Sequence, residues 1–267
     1  MRSPAERPVV VVIGGPNGAG KSTSAGLLLP DALGIRQFVN ADTIAAGLSA
    51  FAPESVAFEA GRIMLRRLQA LAERRQTFAF ETTLASRSFA PFLKRLKSDG
   101  YSVRIAYLWL FSPELSIRRV AERVARGGHF VPDETVRRRY QRGLTNFQEL
   151  YSPLADSWVV CDNSRSALRP IAMSSREGSV WALDPEDSRE GEWPLPADEL
   201  VFGRHDDFFT PYALECMQRA VALAVAEHHR VGNSVYVWQD GGMVRSYPDG
   251  SFQPVEPDAA ASPSPAE

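Results

Sequence analysis

Gly15-Pro16-Asn17-Gly18-Ala19-Gly20-Lys21-Ser22 fits the pattern GxxxxGK(S/T) at every position, and the fold is read outward from it. The five residues before the motif's approach, Val9-Val10-Val11-Val12-Ile13, form an unbroken apolar, β-branched run that reads as a strand buried on both faces. Residues 21–29 read as a helix. Between such a strand and helix, glycines let backbone amides turn inward around phosphates, and the helix start adds partial positive charge. Gly15, Pro16, Asn17, Gly18, Ala19, Gly20, Lys21, Ser22 and Thr23 are therefore the candidate nucleotide-binding residues. Lys21, taken as an exposed side chain, reaches the β- and γ-phosphates, and the Ser22 hydroxyl is placed to ligate Mg²⁺. ATP and Mg²⁺ are the expected cofactors. The competing reading is a glycine-rich turn with no ligand; the strand before the motif and the helix after it are the context that favours the phosphate loop.

Further along, short apolar runs alternate with helical stretches. Strands are expected at 36–39, 77–80, 103–110 and 158–161, and helices at 54–75, 89–98, from Ser112-Pro113-Glu114 to Gly127-Gly128, and from Pro132 to about Leu150. That alternation predicts an α/β fold, a P-loop kinase-type parallel sheet flanked by helices on both faces. The expected kinase domain is 8–183, followed by a proline- and acid-rich linker, 184–204. A C-terminal helix and hairpin appendage is expected at 205–253, with Thr210-Pro211 opening its helix, Leu214, Val221, Leu223 and Val225 making that helix's apolar face, and Asp240-Gly241-Gly242 turning its hairpin. From Pro254 the composition predicts a disordered tail, 254–267.

The 267 residues are 44% hydrophobic, enough to bury a sizeable core, and no run approaches the roughly 18 apolar residues of a membrane helix. No signal peptide is read at the N-terminus, and Cys161 and Cys216 lie far apart with no metal-type spacing. A reduced, cytoplasmic setting without zinc is expected. The net charge of −2 conceals a split: residues 62–142 carry +11 and residues 143–267 carry −12. Twenty-seven of the 30 basic residues are arginines, which reads either as base composition or as a surface for an anionic ligand. A basic middle third by itself does not make a nucleic-acid site.

In open α/β sheets ligands bind beyond the carboxyl ends of the strands. Asp42 lies just past the second strand, and Glu81 and Thr83 just past the third. A carboxylate there can take the proton of an attacking hydroxyl, as a kinase requires. Asp42 reads equally as the cap of a helix starting near Thr43, and Glu81 as a strand-end surface acid. On a wheel of residues 115–126, Ile117, Val120, Ala121 and Val124 make the buried stripe, Arg123 flanks it, and Arg119 and Arg126 point to solvent. On the next helix Arg139 flanks the stripe, and Gly127 to Pro132 make a hinged loop able to close over a nucleotide. ABC-type ATPases share the glycine string, but their LSGGQ signature and strand-terminal Asp-Glu are missing here.

The P-loop, Phe38-Val39-Asn40-Ala41-Asp42, Gly61-Arg62, Phe80-Glu81-Thr82-Thr83 and Arg123-Val124 before Gly127-Gly128-His129 occur in an order that resembles the zeta toxin family over residues 8–163. The resemblance implies a P-loop kinase that phosphorylates a hydroxyl of UDP-N-acetylglucosamine, and a possible antitoxin partner. By matching motif, Lys21 holds phosphates, Asp42 is the base and Arg123 stabilises the transition state, while Asn40, Asp42, Arg62, Glu81 and Thr83 contact substrate. Plasmid-type members carry a second lid arginine where His129 stands here, and Arg139 is the candidate to replace it. The expected function is an ATP-dependent kinase acting on a small metabolite such as a nucleotide sugar. The alternatives are a regulatory ATPase and a kinase of a dinucleotide or nucleic-acid end. For the C-terminal appendage, packing on the sheet competes with an acidic segment lying across the basic substrate side.

Overall fold

The structure is a computed structural model, and it describes residues 7–165, 168–174, 180–182, 211–239 and 242–255. From edge to edge, its main sheet has seven strands in the order β2 (Phe38–Val39), β3 (Phe78–Thr82), β1 (Val9–Gly14), β4 (Ser102–Trp109), β5 (Ser157–Asp162), β6 (Arg169–Ser174) and β7 (Val180–Ala182). The first five are parallel, with Val10 of β1 registered on Phe78 and Val103 of its two neighbours. The last two run antiparallel, so the expected parallel sheet carries an antiparallel edge that the sequence reading did not assign. Pro170 hid β6: proline lacks the ladder N–H, and here it stands where the register shifts between Val160 and Cys161.

The side chains of β1 explain its unbroken apolar run. Val10 and Val12 face one core with Phe78, Phe80, Met64 and Leu68 of α3 (Ala57–Glu73), and Leu93 and Leu96 of α4 (Phe89–Ser98). Val11 and Ile13 face the other, with Ala25 of α1 (Lys21–Leu27) and Leu28 and Leu29 of the π turn Leu28–Ala32. Successive residues thus point to opposite faces, and both faces are covered.

The expected helix at 54–75 is a 3₁₀ turn, Pro53–Val56, followed by α3. Before it lies α2 (Ala41–Leu48), of which the sequence reading had only a start near Thr43. Ser112 caps α5 (Pro113–Ala125), its hydroxyl accepting from the Leu115 N–H at 3.1 Å. The helix α6 (Asp133–Asn146) runs on into a π turn, Phe147–Tyr151.

The C-terminal helix α7 (Pro211–Arg230) packs along α1 and its π turn, placing Met217 and Val221 in the second core, with Cys216 and Ala220 also buried. Leu223, expected on that apolar face, is 59% exposed. The side chain of Leu214, expected there too, lies outside the described residues. Strands β8 (Val235–Gln239) and β9 (Gly242–Ser246) form the expected hairpin, and β10 (Phe252–Pro254) adds a third antiparallel strand. Pro254, expected to begin a disordered tail, pairs with Val244, and the Val255 N–H donates to the Met243 carbonyl at 2.9 Å. The linker 184–204 and residues 256–267 lie outside the described residues. Among the described residues no helix is long and apolar enough to cross a membrane, and Cys161 and Cys216 are buried and unpaired.

Candidate active site

The P-loop is held from outside its own motif. Gly18 and Gly20 both have positive φ, 75° and 77°, and a Cβ on either would stand within 2.9 Å of the Ser116 carbonyl oxygen or 2.6 Å of Asn163 Nδ2. That closeness carries two braces: the Ser116 hydroxyl donates to the Asn17 carbonyl, and Asn163 Nδ2 donates to the Ala19 carbonyl at 2.9 Å. Sequence reasoning missed both residues. Asn163 was findable, since it follows β5 directly and so stands at the carboxyl end of the sheet. Ser116 gives no such signal.

Lys21 is not the exposed residue expected. It is 7% exposed, its Nζ donates to the Pro16 carbonyl at 2.8 Å and lies 3.7 Å from Glu81 Oε1. Burial lowers its pKa, the Glu81 and Asp42 carboxylates oppose that, and the Arg123 charge adds to it. Lys21, Glu81, Asp42 and Arg123 therefore share one electrostatic site.

Glu81, near the end of β3 and 12% exposed, turns toward the P-loop. Its Oε2 accepts from the Ser22 hydroxyl at 2.6 Å and from Asn40 Nδ2 at 2.7 Å. Asn40 is the N-cap of α2, with Oδ1 accepting from the backbone N–H groups of Asp42 at 2.7 Å and Thr43 at 3.2 Å. The cap is thus Asn40 and not Asp42. Asp42 stands exposed in the first turn, and among the described residues its carboxylate has no hydrogen bond or ion pair.

Arg139, half-buried on α6, completes the same field: burial lowers its pKa and the Asp42 carboxylate opposes the shift. The loop after β3 is locked to that helix. A Cβ on Gly143 would stand 2.5 Å from the Thr83 carbonyl oxygen, and Asn146 Nδ2 donates to the carbonyls of Leu84 at 2.9 Å and Ala85 at 3.2 Å. Leu84 is held buried at φ 57°, a conformation that costs a branched residue energy and needs such support. Thr83 therefore borders α6, half-buried. Arg62 is exposed on α3 and enters none of these contacts.

The arginines of α5 depart from the wheel. Arg123 donates from Nη2 to the His129 carbonyl at 2.8 Å, and its Nε is buried without a partner. Arg119, expected in solvent, is half-buried and donates to the carbonyls of Asn163, Ser164 and Tyr236; burial pulls its guanidinium down to about 10, still charged at neutral pH. Arg126 is exposed, as expected, yet pairs with Glu122 at 3.7 Å and donates to the Ser234 carbonyl at 3.0 Å. The physical reason is a second buried face. Ile117, Val120 and Val124 pack toward Val131 and Val136, while Leu115, Ser116 and Arg119 face the P-loop side, and Ala121 is exposed.

Ser22 and Glu81 supply a hydroxyl and a carboxylate oxygen 2.6 Å apart beside the phosphate loop. Such hard donors suit Mg²⁺, which takes one or two protein oxygens and completes its shell with phosphates and water. Among the described residues no cluster of three His, Cys, Asp or Glu side chains offers a site for a more fully protein-bound metal.

The sequence pattern of the zeta toxin family matches residues 1–169. A Haemophilus influenzae protein described as uncharacterized is 30% identical over 126 residues, which are 47% of this chain and 88% of that protein. A structure from the PezAT chromosomal toxin–antitoxin system of Streptococcus pneumoniae superposes with a TM-score of 0.51 at 16% identity, covering 84% of this chain and 90% of that one. A structure of AvrRxo1-ORF1 with AvrRxo1-ORF2 and sulphate ions superposes at 0.58 with 13% identity, over 80% of this chain and 76% of that one. The matched segment spans more than half of the sequence, so the chain belongs to the zeta toxin family and is a phosphotransferase of the P-loop kinase fold acting on hydroxyl groups.

Proposed function

We propose that the enzyme transfers the γ-phosphoryl group of ATP to a hydroxyl of a nucleotide sugar, with UDP-N-acetylglucosamine as the favoured acceptor. The observation that carries this reading is the Asp42 carboxylate: Asn40 relieves it of capping, and it stands unpaired in the field of Lys21 and Arg139. Asp42 takes the proton from the acceptor hydroxyl, that oxygen bonds to the γ-phosphorus, and the bond to the β–γ bridging oxygen breaks to release ADP. Lys21 holds the β- and γ-phosphates, and Arg123 and Arg139 offset the charge that spreads over the transferring group. Mg²⁺, when bound through Ser22 and Glu81, neutralises phosphate charge. Asn40 positions Glu81 and the start of α2, and Thr83 borders the acceptor side. Arg62 has no role in this scheme. The nucleotide-sugar acceptor is supported by membership of the family and by the cluster of cations facing Asp42. The likeness to a toxin–antitoxin structure supports a protein antitoxin as partner, and a cytoplasmic place of action is part of the same reading.

The test is to incubate the protein with γ-labelled ATP, Mg²⁺ and a panel of nucleotide sugars, and to identify the labelled product. A nucleotide sugar carrying one added phosphate is expected. Steady ADP release with no phosphorylated acceptor would instead mark a bare ATPase, and no turnover with any acceptor a regulatory nucleotide binder.

A further inference from the structure

The phosphate loop and Glu81 account for only part of the cleft beside them. It has a volume of about 520 Å³ and runs from Gly18, Lys21 and Ser22 past α5 to a wall made by α7 and β8. At that far end the lining turns apolar, with Val221, Ala224 and Val225 from α7 and Tyr236 from β8. We propose that the C-terminal helix and three-stranded sheet form the nucleobase half of the nucleotide site, the base of ATP lying against Val225 and Tyr236. The inference rests on the ATP reading above and deepens it. It concerns a part of the chain beyond the segment matched by the family pattern, which ends at residue 169.

Size, chemistry and attachment each support it. A polyphosphate fills a loop of backbone amides, whereas a cleft of several hundred Å³ with an apolar wall is the kind that takes up a flat organic ring. The polar end lies on the P-loop and the apolar end on the module, in one continuous space, which matches the two ends of a nucleoside triphosphate. The wall is also fixed relative to the phosphates. Asn163 holds the Ala19 carbonyl of the P-loop at 2.9 Å, and Arg119 joins the Asn163 and Ser164 carbonyls to that of Tyr236. The Trp238 N–H donates to the Ser164 carbonyl at 2.8 Å, and its ring stacks on Phe111 with centroids 4.0 Å apart. A base seated on Tyr236 is thereby held in register with phosphates seated on Lys21. Arg126, beside His228 at 3.2 Å, closes the rim.

Calorimetric binding of ATP and of inorganic tripolyphosphate, each with Mg²⁺, to the full chain separates the base from the phosphates. Ala224→Trp fills the apolar end; it is expected to weaken ATP binding by about tenfold or more and leave tripolyphosphate within about twofold. Leu223→Trp, on the exposed side of the same helix, is expected to change neither. A second measurement does not depend on the variant folding: photo-crosslinking of 8-azido-ATP to the wild-type chain, with the adduct located by mass spectrometry. Adducts in residues 221–237 are expected. Adducts confined to residues before 170, or equal loss of both ligands in a folded Ala224→Trp protein, would overturn the proposal. Binding of neither ligand to the wild type would instead overturn the ATP reading on which it stands.

Discussion

Asn40 and Asp42 stand two residues apart at the start of α2, and the structure gives them separate tasks. Asn40 spends Oδ1 on the helix amides and Nδ2 on Glu81, so its side chain is engaged within the protein, where the sequence reading placed it against substrate. Asn40→Ala is expected to lower unfolding free energy by about 1 kcal/mol through the lost cap, measured by urea denaturation. It should also weaken the Mg²⁺ dependence of nucleotide binding, because Glu81 loses a donor. Residue types at strand ends were legible in the sequence because chemistry requires them there: Lys21, Ser22, Asp42 and Glu81 do converge on one site. Which partner each would choose was not legible. Glu81 had its place in the sheet but turned to Ser22, and buried Lys21 is met by the Pro16 carbonyl of its own loop and by Glu81 far along the chain.

Among the elements, α5 and α6 show what a one-stripe wheel omits. A helix that packs on two neighbours buries two faces, and a buried arginine satisfied by three carbonyls has the same letter as a solvated one. Arg126 ties α5 to the C-terminal module through the Ser234 carbonyl. On α6, which also carries Arg139, Gly143 lets the helix lie against the Thr83 carbonyl. Gly143→Val is expected to push the two apart, costing about 1–3 kcal/mol in thermal unfolding. It should also lower the transfer rate with little change in ATP affinity, read from initial rates and calorimetry on the same sample. Arg119→Ala would remove a donor from three carbonyls, of which that of Ser164 keeps the Trp238 backbone N–H, and a loss of about 1–3 kcal/mol is expected in the same unfolding assay.

For the molecule as a whole, the sheet has two faces to cover, and α1 with its short π turn does not cover the second alone. Met217 and Val221 of α7 complete that core, with Met217 wholly buried. Met217→Ala is expected to cost about 2–5 kcal/mol, seen as a lowered urea midpoint with unchanged slope. The buried first strand and the alternating pattern made the parallel sheet legible, while its antiparallel edge was hidden by Pro170 and the third small-sheet strand by a proline-rich composition. The described part of the acidic C-terminal third packs along α1 and beside α5, and the linker 184–204 lies outside the described residues.

The claim on which the rest depends is that Asp42 acts as a base toward a hydroxyl while the P-loop holds the nucleotide. Rapid-quench measurement of a single turnover, paired with ATP titration, tests it in Asp42→Asn. Lys21→Ala serves as the variant expected to lose ATP affinity and transfer together. The account predicts that Asp42→Asn binds ATP within about twofold of wild type and melts at the same temperature, while transfer falls by about 10²-fold or more. A loss of less than about tenfold with ATP bound would contradict it, because a helix-start carboxylate with no part in the chemistry would behave that way.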